Sequence, residues 1–195
     1  MSIVKAKISI IGKRPLLFHR FSMEAIPLGR KALAGVAGNN PDEWKSTVLK
    51  TTNNQLYVEG SYIFGSLRDG ARHTKQGKGS MQPKLVATLC VMEEEIYIDR
   101  YLPEEKDLTQ DKTAPVYLDV RSVVNPASRG RNVRYRIAAS TGWKAEFTIE
   151  FDNTIVFTPV MEAIVRDAGS FAGLGDGRKI GFGRFDLERF EVCDA

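Results

Sequence analysis

The stretch GLGDGRKIGFGRF, from Gly173 to Phe185, holds five glycines and three basic residues in thirteen positions. Glycine allows positive φ angles and lets another backbone come very close. A glycine-rich loop with exposed N–H groups binds anions, and the added cations make phosphate the natural ligand. The alternative is a tight crossover, in which the glycines serve packing and the basic side chains are merely solvated. The residues alone leave both interpretations open.

The stretch matches neither of the common nucleotide-binding loops. The P-loop pattern G-x-x-x-x-G-K-[ST] is missing, and a dinucleotide fingerprint would have to precede a helix. Here the glycines lead into the strand-like segment RFDLERFEV. The motif therefore indicates phosphate without indicating a nucleotide cofactor.

Hydrophobic periodicity divides the rest of the chain into strands and helices. The pattern predicts strands over 2–12, 55–60, 85–92, 94–102, 116–124, 133–140, 143–151 and 184–192, and helices over 61–74 and 158–173. Ser61 and Thr158 are the expected helix caps, and Phe171 is expected to face inward. Each helix lies between strands, which is typical of an α+β, ferredoxin-like (RRM-like) β-α-β-β-α-β core.

A length of 195 residues fits one domain. We expect that domain to cover residues 1–195, with inserted segments at about 13–54 and 80–140. Residues 116–140 are predicted to form a β-hairpin thumb around the turn NPASRGRN.

Composition narrows the class of protein further. Apolar residues make up 43% of the chain, and the apolar runs are too short to span a bilayer. The alternating N-terminus does not resemble a signal peptide, so a cytoplasmic location without membrane contact is expected. Two distant cysteines and two histidines show no metal-binding spacing, and no metal or cofactor is expected.

The charge pattern is more informative than the net charge of +4. Basic residues cluster in the first loop, at 68–78 and at 121–136, while acids concentrate at 93–95, 104–107 and 186–194. Such sorting is typical of a phosphate-contacting surface. The candidate nucleic-acid-binding residues are Arg14, His19, Arg20, Arg68, Arg72, Lys75, Arg129, Arg131, Arg134, Arg178 and Lys179, together with Gly175, Gly177, Gly181 and Gly183. Phe18 is the candidate for stacking on a base.

Two segments resemble the RAMP superfamily of CRISPR-associated proteins. GLGDGRKIGFGRFDLERFEV is similar to that family's C-terminal glycine-rich loop and closing strand. LYVEGSYIFGSLRDGAR resembles the strand-to-helix segment of its backbone subunits, with Gly60 and Ser61 at the start and Gly65, Leu67, Gly70 and Arg72 matching more loosely.

The resemblance implies a backbone-like subunit of a CRISPR-type ribonucleoprotein. Such subunits grip the phosphate backbone of a guide RNA and assemble head-to-tail along it, with other CRISPR-associated subunits and target nucleic acid as further partners. The chain is short for such a subunit. No aspartate occurs between Lys13 and Asn40, where target-cleaving backbone subunits carry one, so an enzyme is not expected.

Two alternatives stay open. One is a guide-RNA-processing endonuclease that uses His19 and a 2′-hydroxyl nucleophile, since the family's processing enzymes place a catalytic histidine in the first half of the domain. The other is a self-assembling structural or phage-encoded protein that has the same fold and binds no RNA.

Overall fold

The computed structural model describes residues 1–20, 40–124 and 129–193, without the side chain of Gln76. In chain order its strands and helices are β1 (Ile3–Gly12), β2 (Leu16–Leu17), α1 (Glu43–Thr47), β3 (Gln55–Glu59), α2 (Gly60–Gly70), β4 (Lys75–Gln76), β5 (Gly79–Ser80), α3 (Gln82–Thr88), β6 (Cys90–Val91), β7 (Glu95–Tyr101), β8 (Val116–Val124), β9 (Arg131–Ala139), β10 (Lys144–Asp152), α4 (Thr158–Asp167) and β11 (Phe185–Cys193). Antiparallel sheets with helices confirm the expected mixture of α and β structure.

The largest sheet is built around β1. This strand runs antiparallel to β10 on one side and to β11 on the other, and the order across the sheet is β11-β1-β10-β7-β3. The alternation predicted for β1 is confirmed, because Ala6, Ile8 and Ile10 are fully buried. Since successive side chains of a strand point to opposite faces, this row identifies the face that carries the core.

Helices α2 and α4 cover the core face of the sheet. Ile63 and Leu67 of α2 are buried in the same hydrophobic cluster as Met161 and Ile164 of α4. Burying a side chain of this size stabilises the fold by about 1.5–3 kcal/mol. None of the helices in the described ranges has the length and apolar character needed to cross a bilayer.

The other face of the sheet is polar and open to solvent. Lys5 lies 3.7 Å from Glu150 and Lys7 lies 3.1 Å from Glu146, between neighbouring strands. Half-exposed pairs of this kind add little to stability, so they mainly keep this face hydrated.

The predicted hairpin is present as β8 and β9. The two strands pair from Val116↔Ala139 out to Val124↔Arg131, and β2 adds a third strand beside Ala138 and Ala139. Burial decreases along β8, from a buried Val116 at the base to an exposed Val124 near the tip. The base of the hairpin is therefore part of the body, and the described residues on either side of its turn are exposed. Part of the predicted turn, at 125–128, lies outside the described residues.

Three details of the predicted elements are wrong. The segment predicted as a strand over 85–92 is helix α3 as far as Thr88, and only Cys90–Val91 is strand (β6); α3 has a proline in its first turn and buries Leu85. Helix α2 starts at Gly60 and ends at Gly70, so Ser61 is inside it, and Arg72 and Lys75 lie beyond its end instead of sharing a helix face with Arg68. Helix α4 starts at Thr158 itself, with Phe157 as its N-cap.

The end of the second helix also differs from the prediction. After α4 the chain makes a π-helical turn over Ala168–Ala172, and Phe171 is 53% exposed instead of facing inward. Gly173 ends the turn with φ 79°, as the sequence predicts for a helix terminus followed by glycine.

Candidate functional site

The glycine-rich loop joins the π-helical turn to β11. Its glycines all take positive φ angles, and they are Gly173, Gly175, Gly177, Gly181 and Gly183. A short 3₁₀ turn over Arg178–Ile180 lies between them and presents both basic side chains. Residues other than glycine rarely adopt this region of backbone conformation, so the glycines in the sequence account for the shape of the loop.

Packing alone requires glycine at three of these positions. A Cβ at Gly183 would lie 1.8 Å from the carbonyl oxygen of Leu174, and one at Gly175 would lie 2.6 Å from the carbonyl oxygen of Leu17. Gly173 is similarly close to another backbone carbonyl. The tight-crossover interpretation therefore accounts for these three glycines.

Gly181 is in a different environment. A Cβ there would have no neighbour within 4 Å in the described part of the chain. The φ of 92° favours glycine at this position, but packing in the described part of the chain does not require it. The 3₁₀ turn and Gly181 form the outward side of the loop, where a ligand backbone could approach.

Backbone hydrogen bonds fix the loop to the segment after β1. The N–H of Asp176 donates to the carbonyl of Leu17 at 3.0 Å, and the N–H of Gly183 donates to the carbonyl of Pro15 at 2.8 Å. Within the described ranges, no acceptor lies opposite the N–H groups of Gly177 and Arg178. The loop is thus held rigidly, with some donors left for a ligand.

Asp69, at the end of α2, gathers three arginines. Its carboxylate lies 3.1 Å from Arg68, 3.7 Å from Arg72 and 3.2 Å from Arg178 of the glycine-rich loop. One negative charge thus faces three positive charges, and the three arginine side chains remain between about one third and 60% exposed. We call these four residues the Asp69 cluster. Its excess of positive charge suits an anionic ligand.

Arg184 adds a further cation beside the cluster. Burial lowers the pKa of Arg184, and the nearby charge of Arg178 lowers it further. Its Nη1 is buried and has no partner among the described residues. An arginine with no carboxylate partner in the described part of the chain favours the approach of a negative charge.

His19 lies in a cleft of about 200 Å³ between α2 and the glycine-rich loop. The lining side chains include Tyr62, Asp176 and Arg178. Nη2 of Arg134 lies 3.1 Å from Nε2 of His19. Because a guanidinium only donates, Nε2 must accept, and the neutral ring carries its proton on Nδ1.

The surroundings of His19 keep it neutral. Burial lowers the pKa of His19, and the charge of Arg134 lowers it further, while Asp176 partly opposes this. The buried Nδ1 has no partner among the described residues. The imidazole is thus held in place by Arg134 on one side, with an unused donor on the other.

Several hairpin arginines pair with carboxylates of the protein itself. Arg134 forms an ion pair with Glu43 of α1, and Arg136 lies 3.1 Å from Asp176 of the glycine-rich loop without hydrogen-bond alignment. These side chains fix the base of the hairpin to the body. Arg134 therefore points inward, and the structure does not support it as a surface phosphate contact.

The tip of the hairpin carries the exposed arginines. Arg129 is exposed, with φ 56°, and Arg131 is exposed, with its Nη1 3.5 Å from the hydroxyl of Ser122. Both remain candidates for phosphate contacts.

A second cleft, of about 190 Å³, lies on the other side of the glycine-rich loop. Arg14, Lys112 and Arg121 line it together with Phe182 and Gly181. The guanidinium of Arg121 stacks 4.4 Å above the ring of Phe182. The outward side of the loop is therefore flanked by cations on both sides.

The remaining predicted site residues divide into one that is buried and three that are exposed. Phe18 is 1% exposed within the core, so its ring cannot stack on a base. Arg20, Lys75 and Lys179 are exposed. Sequence reasoning missed Asp69, because nothing in its own neighbourhood signals a partner in a loop about a hundred residues later.

Buried polar atoms without partners concentrate around the loop. Within the described ranges they include His19 Nδ1, Arg134 Nε and Arg184 Nη1, whereas Arg136 Nε and Asp176 Oδ2 face each other at 3.1 Å without hydrogen-bond alignment. Folded proteins satisfy most buried polar atoms, and exceptions often mark a functional site. No group of three metal-ligating side chains is found in the same ranges.

Comparisons with known proteins bear on the fold. No family model and no curated protein matches the sequence. The chain is similar to one chain of the cryo-EM structure of the type III-B Cmr-beta bound to cognate target RNA, with 12% identity and a TM-score of 0.54. The match covers 99% of this chain and 61% of the Cmr-beta chain, so this chain spans less than two thirds of the length of that neighbour. At this identity, the likeness shows a shared fold.

Proposed function

We propose that this chain is an RNA-binding, backbone-like subunit of a CRISPR-type ribonucleoprotein. The observation that carries the proposal is the concentration of arginines and unpaired buried donors around the glycine-rich loop. A phosphodiester backbone supplies acceptor oxygens and negative charge at regular intervals, which suits such a surface. In this proposal Arg68, Arg72, Arg178 and Lys179 contact phosphates of a guide RNA.

The topology supports the proposal. Along the chain, β1, α2, β7, β10, α4 and β11 follow the order of a ferredoxin-like β-α-β-β-α-β unit, with β3 added at the edge of the sheet. In this proposal the unit is a RAMP-like core, and β8 and β9 are its hairpin thumb. The structural neighbour is described as bound to target RNA, which agrees with a nucleic-acid ligand.

We further propose that the chain binds RNA without cleaving it. A general base must accept a proton from the attacking hydroxyl. The accepting nitrogen of His19 already faces the guanidinium of Arg134 at 3.1 Å, and its other nitrogen is buried. His19 in this arrangement positions Arg134 instead of acting as a catalyst. Incubation with labelled RNA in the absence of metal ions should leave the RNA intact.

A salt titration tests the binding proposal directly. Fluorescence anisotropy would be measured with three labelled single-stranded RNAs of unrelated sequence. We expect similar affinities for all three, and log Kd should rise with log salt concentration with a slope of about 3 to 5, since about 0.7 counterions are released for each phosphate contacted. A protein that binds no RNA even at low salt would instead favour a structural role. The same conclusion would follow if the purified protein assembled without RNA and its ultraviolet spectrum showed no nucleic acid.

A further inference from the structure

Two aromatic rings lie against each other at the protein surface. The rings of His73 and Phe171 have centroids 4.7 Å apart and planes inclined by 33°. Phe171 is 53% exposed, and His73 is exposed as well. Singly exposed apolar side chains are common, but here a second exposed ring lies against the first.

The fold holds these rings in place. A Cβ at Gly70 would lie 2.5 Å from the Cα of Ala168, so the end of α2 and the π-helical turn are in direct contact. The hydroxyl of Thr74, next to His73, donates to Asp167 at 2.6 Å. The π-helical turn moves Phe171 out of the buried stripe of α4, and such turns are frequent at functional sites.

Two exposed cationic residues flank His73 along the chain. Arg72 precedes His73, is 60% exposed and belongs to the Asp69 cluster. Lys75 follows two residues later and is exposed. Through Asp69 the same cluster reaches Arg178 of the glycine-rich loop. The rings thus lie at the edge of the surface that the proposed function assigns to phosphates.

We propose that His73 and Phe171 form a stacking platform for one base of the bound single strand, with Arg72 on an adjacent phosphate. The proposal rests on the proposed function, since it requires a strand that runs along the Asp69 cluster. Every base has a π-face, so stacking here is tolerant of sequence. A nucleic-acid strand suits this position better than a protein partner, because the exposed neighbours Arg72 and Lys75 are cationic.

The experiment compares variants of Phe171 in two assays. The probes are a single-stranded RNA of about twelve nucleotides and the same oligomer with abasic sites along its length. Phe171→Ala and Phe171→Leu should each weaken binding of the intact RNA by about tenfold. Phe171→Tyr should bind like the unaltered protein, because it keeps the ring. None of the variants should change binding of the abasic oligomer or the salt slope, because none removes a charge.

Phe157 supplies the matched control. It is 52% exposed and lies at the N-terminal end of α4, whereas Phe171 follows the C-terminal end. Phe157→Ala therefore removes an equally exposed phenylalanine ring at a distance from the proposed platform. We expect no change in RNA affinity from this variant. An RNA containing 2-aminopurine should show quenching on binding to the unaltered protein, and less quenching with Phe171→Ala.

The outcomes separate this inference from the proposed function. If the unaltered protein binds neither oligomer, the proposed function fails. If it binds RNA, and Phe171→Ala binds equally well with the same quenching, the platform is overturned while the binding function stands. A Phe171→Ala protein that binds RNA normally but changes its oligomeric state would likewise overturn the platform, because the ring would then contact another protein.

Discussion

Gly181 and Gly183 share positive φ angles but have different surroundings. Gly183→Ala would push a Cβ to 1.8 Å from the carbonyl oxygen of Leu174. The combination of backbone strain and overlap should destabilise the fold by about 3 kcal/mol or more. Gly181→Ala meets open space and should cost only about 1–2 kcal/mol, the price of the left-handed conformation. Urea unfolding of both variants checks this, and equal losses would contradict the packing argument.

The buried His19 makes stability depend on pH. Its pKa in the folded protein is lowered by burial and by Arg134, so the unfolded chain binds the proton more readily. Stability should therefore be complete above the unfolded pKa of about 6.5, and should decrease as the pH falls from there toward the folded pKa. The difference between the unaltered protein and His19→Gln, measured by urea unfolding at several pH values, isolates the effect. A difference that does not vary with pH would contradict it.

Single residues show where sequence reasoning reaches its limit. The conformational need for glycine at Gly183 could be predicted, because the motif itself carries the information. The pairing of Arg136 with Asp176 could not, since a sequence does not show which distant segments fold together. The burial of Phe18 could not be predicted either, because an aromatic residue next to basic neighbours can lie in the core as well as on a binding surface.

At the level of elements, the hairpin combines two kinds of arginine. Arg129 and Arg131 at its tip are exposed, whereas Arg134 pairs with the largely buried Glu43. The double variant Arg129→Ala/Arg131→Ala should weaken binding about equally for all RNA sequences and lower the salt slope by about 1 to 2. Its thermal stability should stay close to that of the unaltered protein, because surface substitutions cost about 0.5 kcal/mol or less.

Arg134→Ala is the contrasting variant from the same strand. It leaves Glu43 without its cation, and should lower the free energy of unfolding by roughly 2–3 kcal/mol. An unchanged salt slope in the double variant would place the hairpin tip away from the RNA. A fully stable Arg134→Ala protein would contradict the structural role of the inner arginine.

Strands whose apolar and polar residues alternate could be predicted from the sequence, whereas elements without a clear period could not. The alternation of β1 and β10 follows from one buried face and one hydrated face. The segment 85–92 was predicted as a strand because it is apolar except for Thr88, although only Leu85 and Leu89 in it, four residues apart, are buried. The π-helical turn begins at Ala168, which packs against Gly70 of α2, and no local sequence pattern shows a contact between such distant residues.

The whole molecule separates its charges between two regions. Glu59 and the glutamates at 93–95 line a groove of about 600 Å³ at the start of α2, away from the Asp69 cluster at its end. Complementary regions on one chain favour open, head-to-tail assembly. We expect the number of copies bound to an RNA, measured by light scattering, to increase with RNA length. Glu94→Lys/Glu95→Lys should reduce this number without weakening the first binding event, and a strict monomer on RNA of every length would contradict head-to-tail assembly.

The central claim is that the glycine-rich loop grips a phosphate backbone, and the double variant Arg178→Ala/Lys179→Ala tests it most directly. Asp69 keeps Arg68 and Arg72, so stability should change little. Lys5→Ala/Lys7→Ala removes the same charge from the open face of the sheet and serves as the control. Thermal unfolding and RNA affinity would be measured on the same samples. We predict native stability with affinity lower by about tenfold or more in the loop variant alone. Native stability with native affinity, or equal losses in both variants, would contradict the claim.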